Sequence, residues 1–406
     1  MRQILLLLLF ASVLLYGCKS NDYHKVFELE ARNYALINTP VYAWIEDMEF
    51  EHDAMVCLYL EDEIVPGQVE ILDDSRQRVW WIANLETGDS ASYELRLNDG
   101  CREEEYQTEK YMWERITEHS TRLFVGGLPV IQYEHPVFDA DNIEETKKPF
   151  HHVFEPTANR FITKGPGGLY SHHRGIFFGY NHIYVGDSEE RIDIWHAANG
   201  ERSEHVEVIR EYAGPVMGGH KVKIHWKDHD GKPFIEEIRD IRVFRQPYGE
   251  TLIDFHSELR TLDQPVRLDG DRQHAGVQFR ASQYVADNRH FTRFIRPPEW
   301  SHLDGGEEIE GPEMYDLPWN AMHFIIDERP FTVSYLSHPS NPQNAEMSER
   351  LYGRFGEFFP YRVTDGDPLT VKYRFWVTEG KVPSVESIDL RYHAFASPSF
   401  AIETRK

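Results

Sequence analysis

The chain has 406 residues and a formal net charge of −25 at pH 7, and 13% of its residues are aromatic. This excess of carboxylates argues against a nucleic-acid partner and against an anionic lipid surface, because both select clustered Lys and Arg. A neutral partner is favoured, and amphipathic aromatic rings suit the apolar faces of sugars as well as they suit a β-sheet core.

The N-terminus predicts a secreted, lipid-anchored protein. Arg2 precedes an apolar run too short to span a membrane stably, so residues 1–17 have the pattern of a secretion signal. The sequence Leu15-Tyr16-Gly17-Cys18 resembles the bacterial lipobox, which implies cleavage before Cys18, lipid on its thiol and a polar tether over 18–25. An ordinary signal peptide cleaved elsewhere is disfavoured, because no small-x-small site lies nearby. The predicted location is the bacterial cell envelope, on the periplasmic side or the cell surface, with the lipid as the only membrane attachment.

Residues 26–98 predict a small accessory β-sandwich domain. Short alternating segments such as Met55–Leu60 are separated by Asp, Gly and Pro turns. Residues 99–118 are charged and lack an apolar period, which predicts a linker. Cys57 and Cys101 could pair in an oxidising compartment, although nothing in the sequence fixes the distance between them.

Residues 119–406 predict an all-β domain, a large antiparallel β-sandwich. Segments such as Lys221–Trp226 and Val371–Val377 alternate polar and apolar residues, and helical periods are scarce. The length and the number of strand-like segments suit two facing multi-stranded sheets.

Histidine is abundant, with 21 residues, and several lie in polar segments that also contain Arg and Gly. The first such segment is Ser171–Gly179. On an extended strand His172 and Arg174 would share one face while His173 takes the other. Only one of the two adjacent histidines can then readily serve a given pocket. Asp193-Ile194-Trp195-His196 follows.

Later segments are also rich in polar residues, and several of them contain Gly. Asp271–Arg280 alternates polar and apolar residues, and a buried polar face needs partners or a ligand. The turn Ser337–Pro342 could present His338 and Asn341 at a sheet edge. A further Gly-containing segment adds Tyr352. A single histidine is more often a structural or surface residue, but the joint occurrence of His with Arg, Asn and Asp in separated segments favours a site.

Sequence motifs of several enzyme classes are missing. The sequence contains no Gly-rich phosphate loop, no His-Glu-x-x-His, no Gly-x-Ser-x-Gly and no Cys-x-x-Cys. The missing motifs therefore disfavour nucleotide chemistry, zincin proteolysis and serine-esterase chemistry.

From Leu123 to Gly380 these motifs, taken together and in order, resemble the PmoA-like family of secreted bacterial proteins. The residues that carry the resemblance are His172-His173-Arg174-Gly175, Phe177-Phe178-Gly179, Asp193-Ile194-Trp195, His205, Ile253-Asp254-Phe255, His274 to Arg280, Trp319, His338 to Pro342 and Tyr352 to Gly356. The resemblance implies a role in sugar metabolism and a galactose-mutarotase-like supersandwich. It does not imply methane oxygenation, because a methane oxygenase subunit of that name spans the membrane several times.

These observations predict a carbohydrate-active enzyme that acts on a glycan fragment or an oxidised sugar by lyase, epimerase or hydrolase chemistry. A histidine is a suitable general acid or base, because its ordinary pKa lies near working pH. The candidate catalytic residues are His173, His205, His274 and His338. The candidate substrate-binding residues are His172, Arg174, Trp195, Arg280, Asn341 and Tyr352, with the arginines holding a sugar hydroxyl, carbonyl or carboxylate.

Two further hypotheses stay open at this point. A divalent metal held by several histidines fits the same residues, although no ligand spacing is diagnostic. A non-catalytic lipoprotein that binds glycans and passes them to a transporter fits the aromatic content, the acidic charge and the tether. The enzyme hypothesis predicts that one concave site gathers His172, His173, Arg174, His274, Arg280 and His338.

Overall fold

The computed structural model describes residues 24–404 apart from 47, 74–75, 97–108, 304–308 and 310. The predicted signal peptide, Cys18 and most of the tether lie outside the described residues, as does Cys101. Cys57 is disulfide-bonded. Among the described residues, no helix is long and apolar enough to cross a membrane.

Strands make up most of the described chain. The first six are β1 (His24–Glu30), β2 (Leu36–Ile45), β3 (Met55–Leu60), β4 (Glu63–Asp73), β5 (Arg76–Leu85) and β6 (Ser90–Arg96). The next are β7 (Met112–Thr117), β8 (Ser120–Val125), β9 (Leu128–Glu134), β10 (Phe150–Val153), β11 (Ile176–Tyr180), β12 (Ile183–Val185), β13 (Arg202–Ala213), β14 (Met217–Lys227), β15 (Pro233–Phe244), β16 (Glu250–Thr261), β17 (Val266–Leu268) and β18 (Ala275–Arg280).

The remaining strands are β19 (Arg293–Ile295), β20 (Trp319–Ile326), β21 (Arg329–Ser337), β22 (Glu346–Arg350), β23 (Arg354–Phe358), β24 (Tyr361–Val363), β25 (Leu369–Glu379) and β26 (Phe400–Thr404). The α-helices are α1 (Ile143–Thr146), α2 (Gln283–Asp287) and α3 (Val385–Ala396). Short 3-10 turns accompany them.

Two eight-stranded antiparallel sheets face each other and form a large sandwich. The front sheet has the order β22-β23-β18-β11-β10-β9-β8-β7, and the back sheet has the order β13-β14-β15-β16-β25-β21-β20-β19. A three-stranded sheet, β12-β17-β24, lies beside them. The predicted all-β antiparallel sandwich is therefore confirmed.

The N-terminal unit differs from the prediction. It is a closed barrel of order β1-β26-β2-β5-β4-β3-β6, and its strand β26 comes from the C-terminus of the chain. Strand β26 pairs with β1 antiparallel and with β2 parallel, and Ala401 enters the barrel core. The predicted boundary, which gave 119–406 to the large domain alone, is thus wrong at its C-terminal end. Strand β7 also lies within the predicted linker, where it forms the edge of the front sheet.

Alternation along the front sheet separates its core face from its outer face. Ile176 and Phe178 of β11 are buried in the sandwich core, and the Phe178 ring lies 5.5 Å from that of Trp226 on the back sheet. The intervening Phe177 packs instead in a separate small cluster with Trp195. Because successive side chains of a strand point to opposite faces, Phe177 marks the outer face of this sheet.

A histidine cluster on the outer face of the front sheet

Three loop segments meet over the outer face of two neighbouring strands. His172 and His173 lie shortly before β11, His274 lies directly before β18, and β11 and β18 are antiparallel neighbours in the front sheet. His196 lies in the loop that follows β12. Because the starts of two antiparallel strands lie at opposite ends of the pair, the loop before β11 folds back over the sheet to bring the His172 ring to 6.2 Å from that of His274.

His172, His196 and His274 converge. One ring nitrogen of each lies within 4.8 Å of those of the other two. The His196 ring centroid is 4.5 Å from that of His172 and 4.8 Å from that of His274. Burial, reinforced by Lys148, lowers the pKa of His172 to about 2, so this imidazole is neutral. The Nε2 atom of His172 is buried and has no hydrogen-bond partner among the described residues.

Two carboxylates orient two of these rings. Asp193 Oδ2 accepts from Nδ1 of His196 at 2.9 Å, and Asp271 Oδ1 accepts from Nδ1 of His274 at 3.0 Å. The amide of Asn181 donates to Asp271 Oδ2 at 2.7 Å and fixes that carboxylate in turn. Because an ionised carboxylate can only accept, each of these rings carries a proton on Nδ1, which leaves Nε2 as the nitrogen that can bind a ligand.

His173 is a buried histidine with unused hydrogen-bonding capacity. It is 2% exposed, and neither of its ring nitrogens has a partner among the described residues. Its ring lies 4.3 Å from that of His172 and 5.5 Å from that of Trp195. Burial and the nearby Arg354 hold its pKa well below the usual range, so it is neutral. A buried polar group without a partner is costly, which points to a ligand that would satisfy it.

Two buried lysines lie behind the histidines. Lys148 Nζ donates to the backbone carbonyl of Trp195 and, at 3.4 Å, to that of His172. Lys164 Nζ donates at 3.3 Å to the carbonyls of Tyr170 and His173. Burial lowers the pKa of Lys148 well below its usual value and that of Lys164 to about 7. These contacts hold the loop before β11, and burial shifts both side chains towards their uncharged amine form.

Arg280 of β18 is also buried and also bonds to backbone carbonyls. Its guanidinium donates to the carbonyl of Tyr352 and, at 3.4 Å, to that of Leu169, while its Nε has no partner among the described residues. Burial lowers its pKa to about 10. Within the described part of the chain, none of Lys148, Lys164 and Arg280 forms an ion pair with a carboxylate.

Two tyrosines form the solvent-facing side of the cluster. Tyr170 is 47% exposed, and its ring centroid lies 4.9 Å from that of Tyr352 and 5.6 Å from that of His173. Tyr170 also has a φ of 54°, an uncommon conformation for a residue with a side chain. An aromatic surface beside buried polar groups is an arrangement that suits the apolar face of a sugar ring.

The structure brings together six of the predicted site residues. These are His172, His173, Trp195, His274, Arg280 and Tyr352. Arg174 is adjacent in sequence, but its buried guanidinium donates to the carbonyls of Glu144 and Ser171 and anchors helix α1 to the loop. The structure thus gives Arg174 an anchoring contact in place of the predicted contact with sugar.

The other predicted site residues lie elsewhere, and the predicted convergence in one concave site is wrong for His338. His205, on β13, bonds to the Tyr133 hydroxyl at 3.1 Å at a different part of the sandwich. His338 follows β21 of the back sheet and lines a cavity of about 240 Å³ between that sheet and the barrel. Asn341 accepts from the backbone N–H of Lys372 at 2.8 Å and stabilises a turn. Their segments follow or belong to back-sheet strands, and local sequence does not reveal which sheet a strand joins.

Sequence reasoning left out several residues of the cluster. His196, Asp193 and Asp271 share one signal that could have found them, because Asp-x-x-His occurs at both 193–196 and 271–274. Lys148 and Arg354 carry no comparable signal. They are identified as cluster residues only by the burial that the fold imposes on them.

Comparisons with known proteins give a family but no function. Residues 120–392 match the family described as "Family of unknown function (DUF6807)". A comparison with curated proteins finds no match. A GalM/aldose epimerase homologue from C. elegans is similar at 10% identity, over 68% of this chain and 100% of that chain. Its TM-score of 0.27 is too low for the likeness to carry an argument.

Proposed function

The chain belongs to DUF6807, a family of unknown function, and we propose that it is an enzyme acting on an oxidised, acidic carbohydrate at the histidine cluster. The observation that carries the proposal is the set of buried basic groups around His173. Lys148, Lys164 and Arg280 have backbone carbonyls as partners, and the two ring nitrogens of His173 have no partner among the described residues. Burial lowers the pKa of all three basic groups, and an anionic ligand would favour their charged forms and bind to them.

The basic groups at the site are opposite in sign to the net charge of the whole molecule. The chain carries −25 formal charges, which favours a neutral partner, whereas the buried basic groups favour a carboxylate at this one place. A close, desolvated cation interacts with a ligand more strongly than distant surface carboxylates do, because exposed charges are screened within about 10 Å at ordinary salt. An acidic sugar or a sugar-derived carboxylate therefore fits better than a neutral glycan.

The tyrosines supply the sugar-binding component. Tyr170 and Tyr352 would contact the apolar face of a sugar ring, while Arg280 lies directly behind Tyr352, with its guanidinium carbon 4.9 Å from the Tyr352 ring centroid. The ligand carboxylate or carbonyl would then reach the cations, and the ring would stay near the surface.

The residues favour proton-transfer chemistry. Lyase and epimerase reactions of acidic or oxidised sugars begin with removal of a C–H proton next to a carbonyl or carboxylate. Burial makes the imidazole of His173 a weak base in the free protein, and a substrate carboxylate beside it would raise its pKa, so in the complex His173 would accept that proton. The electron pair left on the substrate would move to the carbonyl oxygen, where Arg280 would stabilise the negative charge. The predicted lipid anchor at Cys18 would place this activity in the cell envelope, where glycan fragments are imported.

The proposal is tested with a panel of uronic-acid oligosaccharides, matched neutral oligosaccharides and 3-keto-glycosides. Binding is measured by calorimetry and products by mass spectrometry. We expect acidic or oxidised members to bind and turn over, and Tyr170→Ala to weaken binding at least tenfold because it removes the stacking surface. Tyr248→Ala is the matched control, since Tyr248 is 81% exposed and lies outside the cluster.

Three outcomes would contradict the proposal. A panel in which no sugar binds would remove its basis. Equal affinities of Tyr170→Ala and Tyr248→Ala would place the sugar elsewhere. Binding without any turnover would favour the alternative of a non-catalytic glycan-binding lipoprotein.

A further inference from the structure

We propose that His172, His196 and His274 bind one divalent transition-metal ion of the Zn²⁺ type through their Nε2 atoms. The site would add a Lewis acid to the enzyme proposed above, but its existence rests on its own geometry. Three imidazole nitrogens are a usual ligand set for zinc, and they also suit the neighbouring metals Fe, Ni and Cu.

The spacing of the nitrogens is close to what a metal requires. Three nitrogens bound to an ion at about 2.1 Å lie roughly 3.3 Å apart in tetrahedral geometry. In the structure the three atoms lie within 4.8 Å of one another, so metal binding would draw them together by at most about 1.5 Å. Rotations of the side chains can supply a movement of this size.

The second argument is the pair of carboxylates behind the ligands. Metal-binding histidines commonly donate their other N–H to a carboxylate, which fixes the tautomer and the ring orientation. Asp193 holds His196 in this way and Asp271 holds His274. The two aspartates together offset the two positive charges of the ion, so the proposed centre would be close to neutral even beside Lys148.

The third argument is the unpartnered nitrogen of His172. Its Nε2 is buried, and no described residue bonds to it. A purely structural histidine cluster would leave this atom unsatisfied, whereas a metal ligand uses its lone pair.

The cluster also has an open side, as a catalytic metal centre needs. The side chains of His196 and His274 are 35% and 29% exposed. Three protein ligands with solvent access leave room for water or a substrate oxygen. A carboxylate or carbonyl bound there would be polarised beside His173, which is the place where the proposed proton transfer occurs.

The test is metal binding by the purified protein after treatment with chelator. Zn²⁺ stoichiometry is measured by elemental analysis, and Co²⁺ is titrated while its visible absorption is recorded. We expect one equivalent of metal and a Co²⁺ spectrum of a nitrogen-rich site. His196→Ala and His274→Ala should each weaken binding at least 100-fold, and Asp271→Asn should weaken it 10- to 100-fold because only the supporting carboxylate is lost.

His338→Ala is the matched control, since His338 is partly exposed and lies outside the cluster. It should bind metal as the unaltered protein does. Circular dichroism and thermal melting of each variant check that the fold is retained, and Asp271→Asn keeps the test informative if a histidine variant does not fold. Binding of less than a fifth of an equivalent, or equal weakening by His338→Ala and His196→Ala, would overturn the metal site.

The experiments distinguish a failure of the metal site from a failure of the proposed function. One equivalent of metal without binding of any sugar would support the metal site and contradict the proposed function. Turnover of an acidic sugar by protein that binds no metal would support the proposed function and overturn the metal site.

Discussion

At the scale of single residues, the cluster is unusual because its polar groups are buried before a ligand is present. Among the described residues, no partner bonds to the two ring nitrogens of His173, to Nε2 of His172 or to Nε of Arg280. In most folded proteins nearly all buried polar atoms are paired, so several exceptions within one neighbourhood indicate a binding site more strongly than any one of them does. His205 and His338 lie away from this neighbourhood, where each bonds to one side chain, Tyr133 and Ser340 respectively.

The anchor prediction also belongs to this scale. Changing Cys18 to Ala removes the only thiol in the lipobox-like sequence, so lipid labelling should be lost and the protein should leave the membrane fraction. Metabolic labelling with a fatty acid and fractionation of cells measure the two effects. Retention of the variant in salt-washed membranes would show that another feature holds the protein there.

At the scale of elements, one glycine of β18 allows two strands to approach closely beside the cluster. Gly276 has a φ of 84°, and a Cβ added there would lie 1.8 Å from the carbonyl oxygen of Glu357. No side chain can occupy that position unless β18 and β23 move apart. The same strands carry Gln278, Arg280 and Arg354. The close contact between β18 and β23 therefore positions these three side chains relative to the histidine cluster.

Gly276→Ala should therefore destabilise the protein by about 3 kcal/mol or more, through backbone strain and the separation of two strands. Gly366→Ala is the control, because its added Cβ meets no atom within 4 Å and its φ is not in the left-handed region. That variant should stay within about 0.5 kcal/mol of the unaltered protein. The midpoints of chemical denaturation measure both, and equal midpoints would refute the packing argument.

At the scale of the whole molecule, the barrel and the sandwich form a shared interface. Glu70 of the barrel pairs with Arg242 of the back sheet at 2.8 Å and with Arg78 of its own barrel at 2.6 Å. Gln68 accepts from the backbone N–H groups of Val216 and Met217 at 3.0 Å and 2.8 Å. Both side chains are buried. An apolar cluster that includes Trp80, Phe244 and Trp376 surrounds these contacts.

This interface should weaken in acid. Burial alone would raise the pKa of Glu70, but Arg242 and Arg78 outweigh it and lower the pKa from 4.5 to about 2. A lowered pKa in the folded state stabilises the protein above pH 4.5, and the contribution is lost as the pH falls from about 4.5 to 2. A shift of this size corresponds to roughly 3 kcal/mol.

Glu70→Gln should remove the same contribution at neutral pH, costing about 3 kcal/mol because Arg242 and Arg78 lose a buried counter-charge. The free energy of unfolding of this variant should also depend less on pH between 4.5 and 2. Glu30→Gln is the control within the barrel, because Glu30 and Arg32 form an exposed pair that contributes less than about 1 kcal/mol. Denaturation curves over pH measure both variants, and parallel curves would show that Glu70 is not the group responsible.

Local sequence determined the class of structure and most of the chemical groups. Period-two alternation depends only on the side chains of one strand, so it correctly predicted an all-β chain with a large antiparallel sandwich. It also marked the segments that contain His172, His173, His274 and Arg280, because polar, Gly-containing stretches interrupt apolar strands there. The lipid anchor and the likeness to PmoA-like proteins stay predictions.

Tertiary structure decided which of those segments meet. The loop before β11 folds back over the front sheet and places His172 beside His274, while the assignment of β21 to the back sheet takes His338 away. The closure of the barrel by β26 and the backbone-carbonyl contacts of Lys148 and Arg280 are likewise set by partners distant in sequence. A strand's own residues specify that it will pair and which face it will bury, but its neighbour is selected by packing across the whole molecule, which no local pattern records.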